Sequence, residues 1–178
     1  MMNAKSFGRV IESREEMEEA LSTYIARLGE KLRQQESLAA RITVFLHTNG
    51  FDTSAEQYSN EFTVELPHAT AFTPTLIKHA LAALHAIYHK GYRYKRVGVM
   101  LGKITPLPGV QLDLFGELSP SEYERQARFM YIVDALNRIM GPGTLTFAIQ
   151  GTKHRWGMHQ AWLSPHYTSR WDELLTIQ

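Results

Sequence analysis

Four positive charges, Arg93, Lys95, Arg96 and Lys103, fall within residues 92–103, a stretch without a carboxylate. Basic groups gathered in this way supply the salt-dependent, sequence-independent attraction that a phosphate backbone requires. A second group with chemical content is Gln111-Leu112-Asp113-Leu114-Phe115, set among Pro106, Pro108, Gly109, Gly116 and Pro120. An extended pentapeptide of this kind can insert its Leu-Phe pair into an apolar pocket while the Gln amide makes directional hydrogen bonds. The plainer alternative is a short segment folded against its own domain.

The remaining reactive side chains do not assemble into a site by spacing. His154, His159 and His166 fit no helical pair on one face, and no carboxylate or cysteine completes a ligand set. His79, His85 and His89 share a helical stretch but have no Ser or Asp partner placed by the sequence. Trp156, Trp162 and Trp171 are of a type that stacks nucleobases, but packing is the commoner use of such residues. No catalytic residue, metal site or resident cofactor is expected.

The elements that position these groups follow from periodicity. Lys5 to Ile11 is a short strand candidate, and Ser13 with Glu16 forms a capping box that opens a helix running to about Glu36. Its stripe is Met17, Leu21, Tyr24, Ile25, Leu28 and Leu32. Two strands follow in residues 40–51 and 61–66, each alternating with period two. Thr73-Pro74 caps a second helix lined by Ile77, Leu81, Leu84 and Tyr88 and stopped at Gly91. Residues 94–103 alternate again as a fourth strand. Ser119 to Glu122 caps a third helix with a stripe of Phe129, Ile132, Val133, Leu136 and Met140, and residues 144–149 suggest one more strand.

The order strand-helix-strand-strand-helix-strand predicts an α+β fold: a four-stranded split βαβ-like sheet with two helices on one face, followed by a small α+β C-terminal module. The predicted boundaries are residues 1–106 for the sheet domain, 107–118 for a linker and 119–178 for the module. With Ile42, Val44, Leu46, Val97, Val99 and Leu101 turned toward the helices, Arg41, Thr43, His47, Arg96, Gly98 and Gly102 share the open face. Hydroxyls and backbone amides near Ser6 and Gly8 can add hydrogen bonds to phosphate oxygens. From charge alone, an ordinary solvated sheet face is an equal alternative.

Composition is that of a folded protein: 44% apolar and 21% charged residues in 178, with a net charge of +1. The absence of cysteine fits a reducing cytoplasm, and no apolar run approaches membrane-spanning length, so a cytosolic protein without membrane contact is expected.

Four blocks, Lys5-Ser6-Phe7-Gly8-Arg9, Gly91 to Lys95 running into Gly98 to Leu101, the Gln-Leu-Asp-Leu-Phe peptide, and Leu163 to Trp171, resemble in order the C-terminal region of UmuC-type Y-family translesion DNA polymerases. The resemblance implies a little finger domain over residues 5–105 that grips primer-template DNA. Lys5, Ser6, Gly8, Arg9, Arg41, Thr43, His47, Lys95, Arg96 and Lys103 are its DNA-binding candidates. It also implies a sliding-clamp peptide anchored by Gln111, Leu112, Leu114 and Phe115. For residues 119–178, contact with a UmuD'-type subunit or RecA is an open assignment. Polymerases of this family hold magnesium on a palm domain that precedes the little finger. Too few residues precede Lys5 to build one, so no polymerase active site is expected in this chain, and whether Met1 is a natural start is left open. The rival expectation is a stand-alone adaptor that binds the clamp without a polymerase role.

Overall fold

The computed structural model describes residues 1–52, 54–107 and 119–158. Its centre is a four-stranded sheet of β1 (Met2–Ile11), β2 (Ser37–Thr48), β3 (Ser59–Thr70) and β4 (Tyr94–Pro106) in the spatial order β1-β4-β2-β3. Every neighbouring pair is antiparallel. Helix α1 (Arg14–Gln34) joins β1 to β2 with β4 lying between them, and α2 (Thr73–Ile87) joins β3 to β4 with β2 lying between them. The result is two interlocked split βαβ units, as the element order predicts.

Both helices cover one face, and the core forms between them and the sheet. Met17, Leu21, Tyr24, Ile25, Leu28 and Leu32 of α1 are all buried, so the expected stripe is the packed one. They meet Ile42, Val44 and Leu46 of β2 and Val97, Val99 and Leu101 of β4, the same alternate residues that the two-residue period assigns inward. Each side chain of this size contributes about 1.5–3 kcal/mol on burial. Gly29 lets α1 approach the start of α2, since a Cβ there would lie 2.7 Å from the Thr73 hydroxyl.

Several boundaries depart from the sequence reading for identifiable reasons. The α2 N-cap is Phe72 rather than Thr73, and it makes no side-chain cap bond. Thr73 is the first residue of the helix instead, and its hydroxyl accepts from Arg33 Nη1 at 2.9 Å. The helix ends at Ile87, and Gly91, with φ 102°, turns the chain into β4 instead of stopping α2. Strand β3 extends to Thr70 through a register shift that begins beyond Glu65, where Pro67 is tolerated because β3 is an edge strand.

Beyond the sheet, α3 (Pro120–Met140) opens on Ser119, whose hydroxyl accepts from the Glu122 amide at 3.2 Å. Its expected apolar stripe is only partly turned inward: Phe129, Ile132 and Met140 are exposed, Val133 and Leu136 are half-buried, and Met130, outside the stripe, is the buried residue. The orientation is fixed by polar chemistry. Arg33 of α1 donates through Nε and Nη2 to both Asp134 carboxylate oxygens, at 2.6 and 2.8 Å, and through Nη1 to the Ala71 carbonyl at 2.7 Å. That fork turns the Met130–Asp134 side of α3 inward. The strand expected at 144–149 is a 3₁₀ turn over Ala148–Gln150, closed by the Gln150 side chain accepting from the Phe147 amide at 2.8 Å. Among the described residues the C-terminal part therefore contains no strand.

Trp156 returns to the sheet domain. Its indole is buried edge-on against Tyr24, with ring centroids 5.6 Å apart, and its carbonyl accepts from the Gly8 amide at 3.2 Å. Packing, rather than base stacking, is what Trp156 does here. Trp162, Trp171, His159 and His166 lie outside the described residues.

Candidate nucleic-acid interface

The sheet face opposite the helices carries no covering element among the described residues. Strand register arranges its side chains in rows across the four strands. One row is Ser6, Arg96, His47 and Ser59, and the next is Ala4, Gly98, Phe45 and Glu61. Then come Met2, Met100, Thr43 and Thr63, and finally Gly102, Arg41 and Glu65. Arg41, Thr43, His47, Arg96, Gly98 and Gly102 thus share this face as their parity predicts.

Parity and register separate the other candidates. Lys5 pairs opposite the buried Val97 and so belongs to the helix-side set of the edge strand β1, not to the open face. Arg9 lies past a register shift in β1 and forms an ion pair with Glu16 at the start of α1. The Gly8 amide, a proposed phosphate donor, is occupied by the Trp156 carbonyl. Lys95 is the extra residue where β4 shifts register against β2, between Tyr94 and Arg96. Ser6 alone of the first block stands on the open face, opposite Arg96. Gln111, Leu112, Leu114 and Phe115 lie outside the described residues.

The polar groups on the face have unequal freedom. Arg41 Nε donates to Glu65 Oε1 at 2.6 Å, and Lys103 Nζ reaches Glu65 Oε2 at 2.9 Å. Hydrogen bonds from Lys103 and then Arg41 hold the Glu65 carboxyl below its ordinary value. The Thr43 and Thr63 hydroxyls share a hydrogen bond of 2.8 Å, and His47 Nδ1 shares one of 2.9 Å with Ser59 Oγ. Arg96 is exposed, and among the described residues no carboxylate lies within ion-pair distance of it. Its guanidinium carbon sits 5.9 Å from the centroid of Phe45, which turns it toward the middle of the sheet.

One feature of this face is absent from the reading of the sequence, and a second, Phe45, alternates there with Arg41, Thr43 and His47 without an assigned role. Glu61 and Glu65 bring negative charge to the β3 half, and they share the parity of Thr63, so alternation across β3 was the signal that could find them. Phe45 has the parity of Thr43 and His47 and lies across Gly98, where a Cβ would collide with its ring and would stand 2.6 Å from the Ala4 Cβ. An aromatic ring laid over a strand glycine gives the face an apolar, flat centre.

Among the described residues, His85, His89 and His154 join no group of metal ligands. His85 Nε2 pairs with Glu18 at 2.7 Å, His89 stacks edge-on against Tyr58, and His154 stacks against Trp156. Among the described residues no three His, Asp or Glu side chains gather as metal ligands, and no helix is long and apolar enough to cross a membrane.

Comparison with known proteins gives two family matches: the impB/mucB/samB family C-terminal domain over residues 1–114, and a domain of unknown function (DUF4113) over residues 127–177. Protein UmuC of Salmonella typhimurium is 36% identical over 175 residues, which are 98% of this chain and 41% of that protein. Protein MucB of Escherichia coli is 34% identical over 168 residues, 94% of this chain and 39% of that protein. The resemblance to UmuC-type proteins is therefore borne out along nearly the whole chain, which spans about two fifths of the length of these relatives. Among solved structures it is similar to the insertion ternary complex of Dbh DNA polymerase, at 16% identity and a TM-score of 0.46, covering 60% of this chain and 29% of that one. A second likeness is to the complex of β-clamp processivity factor and little finger domain of PolIV, at 20% identity and a TM-score of 0.39, covering 65% of this chain and 97% of that one.

Proposed function

This chain belongs to the impB/mucB/samB family, and on that premise we propose that it is the DNA-holding and clamp-docking portion of an error-prone translesion DNA polymerase of the UmuC type, acting in SOS DNA repair. The observation that carries the DNA part is the sheet face left open by both helices, with Arg96 exposed on it. Such a face offers a cation, hydroxyls and a flat surface to a duplex backbone, which is recognised through charge and shape rather than sequence. In this reading the polymerase centre and its magnesium belong to palm carboxylates outside these residues, and the chain holds no cofactor of its own. Fluorescence anisotropy with labelled primer-template across a salt series tests it. Affinity that falls linearly on a log–log salt plot is expected, and absence of binding at low salt rejects it.

Clamp docking is assigned to Gln111, Leu112, Leu114 and Phe115, supported by an apolar pair in a Pro- and Gly-rich stretch. Calorimetry against purified sliding clamp should show binding that Leu114→Ala with Phe115→Ala abolishes; unchanged affinity in the double variant rejects these anchors. For residues 119–178 the partner is a protein, and a UmuD'-type subunit and RecA are the two to present to the immobilised full chain. Capture of neither at micromolar concentration removes that assignment. The second reading, a clamp-binding adaptor, draws on Glu61 and Glu65, which place negative charge on the open face. Clamp binding without DNA binding at low salt is the outcome that selects it.

A further inference from the structure

We propose that the outer apolar face of α3 is the docking surface for this chain's own residues 159–177, with Trp171, Leu174 and Leu175 seated on Ile132, Leu136 and Ile139. The inference concerns the C-terminal unit and stands apart from the reading of the sheet face as a DNA surface.

The face lies away from the docked side of the helix. Counting round α3 from the buried Met130, Ile139, Ile132, Leu136, Phe129 and Met140 fall within a sector of about 100° on the far side. A stripe of that width is what a helix ordinarily turns to a core. Here Ile132 is 49% exposed and Ile139 81%, while Phe129 meets Phe72 of the sheet domain edge-on, with ring centroids 6.4 Å apart. The chain that follows α3 returns along the docked side instead. Asn137 exchanges hydrogen bonds with the Leu145 backbone at 2.8 and 3.0 Å, and Gln150 and Trp156 are then buried toward α1.

The occupant follows from what this unit lacks. The family match over residues 127–177 takes in α3 and the tail together. Among its described residues the buried apolar side chains are Met130 and Trp156, and Trp156 packs into the sheet domain against Tyr24. A folded unit needs apolar burial of its own. Residues 159–178, outside the described ones, carry Trp162, Leu163, Trp171, Leu174 and Leu175, the last three at three- and four-residue spacing. Their reach is ample, since the chain beyond Met158 can extend about 66 Å, against about 31 Å for the length of α3. Charge agrees as well. The ion pairs of α3 engage Glu122, Arg125 and Asp134, so among the described residues Arg128 stands exposed and unpaired at the edge of the stripe. Asp172 and Glu173 lie between Trp171 and Leu174. A second copy of the chain fits less well, because the stripe spans about three turns and self-paired helical seams run over at least about three heptads.

The test uses the full chain, which has no cysteine, so one introduced thiol reports on its own position. Ile132→Cys and Ile139→Cys should be alkylated by a charged maleimide about tenfold more slowly than Tyr131→Cys, a position 74% exposed and off the stripe. Adding Trp171→Ala with Leu174→Ala should bring both rates up to that of Tyr131→Cys. The reciprocal measurement puts the thiol in the tail: Leu174→Cys should react slowly, and Ile132→Asp should release it. Amide exchange over Pro120–Met140 checks that α3 stays folded in each variant, and where the tail variant loosens it the reciprocal pair decides. Equal rates at all three α3 positions overturn the covered face. Protection that survives the loss of Trp171 and Leu174, or a Leu174→Cys rate indifferent to Ile132→Asp, overturns the tail as its occupant. Protection that grows with protein concentration, together with a doubled mass by light scattering, assigns the face to a second copy and overturns the proposal likewise.

Discussion

Asp134→Ala should release α3 from the sheet domain without unfolding that domain. Asp134 receives two charge-assisted hydrogen bonds from Arg33, at 2.6 and 2.8 Å, and the two side chains are 18% and 17% exposed. Hydrogen bonds to charged groups contribute about 1.5–3 kcal/mol each when well sheltered. Water reaching a sixth of each side chain reduces that, so about 2 kcal/mol for the fork is the working figure. Arg33 is not orphaned by the change, because Nη1 still donates to the Ala71 carbonyl and the Thr73 hydroxyl. The loss should fall on α3 alone. At 1.4 kcal/mol per tenfold, amide exchange within Pro120–Met140 should accelerate about 30-fold, while β2 and β4 keep their protection. Arg33→Lys, which cannot form the fork, should reproduce the effect in α3, and the double variant should add little to either single change. Unchanged α3 exchange in Asp134→Ala refutes the reasoning, and equal acceleration in α3 and the central strands shows that the fork supports the whole domain instead.

Gly98→Ala should destabilise by about 1–3 kcal/mol through overpacking against Phe45, and that cost should largely vanish in a Phe45→Ala background, as thermal melts of the four variants would show. Burial raises the Tyr24 hydroxyl to about 12 from 10.0. A group with a raised folded value contributes stability below its unfolded pKa and loses it as pH rises through the folded one. Stability should therefore drop between pH 10 and 12, by about 2–3 kcal/mol at most, and Tyr24→Phe should flatten that limb of the melting-temperature profile.

Much of the sheet domain is readable from residue order because its signals are local and repeated. Met17 to Leu32 keep a helical period through more than four turns, and Ile42 to Leu46 and Val97 to Leu101 alternate cleanly between a buried and an open face. What escapes are properties of pairs distant in sequence. Glu65 pairs with both Arg41 and Lys103 through strand register, which no single strand specifies. The inward side of α3 is chosen by Asp134 meeting Arg33, residues 101 positions apart, and so Phe129, Ile132 and Met140 are left outside. Arg9 is diverted from the open face by a register shift that its own sequence does not mark. At residues 144–149, one side-chain-to-backbone bond from Phe147 to Gln150 outweighs a short run of alternation.

The position of β4 has a temporal meaning. It lies between β1 and β2, although it is the last of the four strands to leave the ribosome, and Leu101 exchanges hydrogen bonds with Met1 at both its amide and its carbonyl. The first strand therefore has no partner until the chain has been made past Tyr94, and its full length none until residue 101. Contacts of such long sequence separation slow folding, because the loop must close before any pairing rewards it. During synthesis β2 and β3 can form a hairpin against the helices, while β1 waits with both edges unpaired. Truncation before Tyr94 should leave that hairpin with an open flank and β1 without a place, a chain that sheds its first strand and self-associates instead of folding to a smaller version of the same domain.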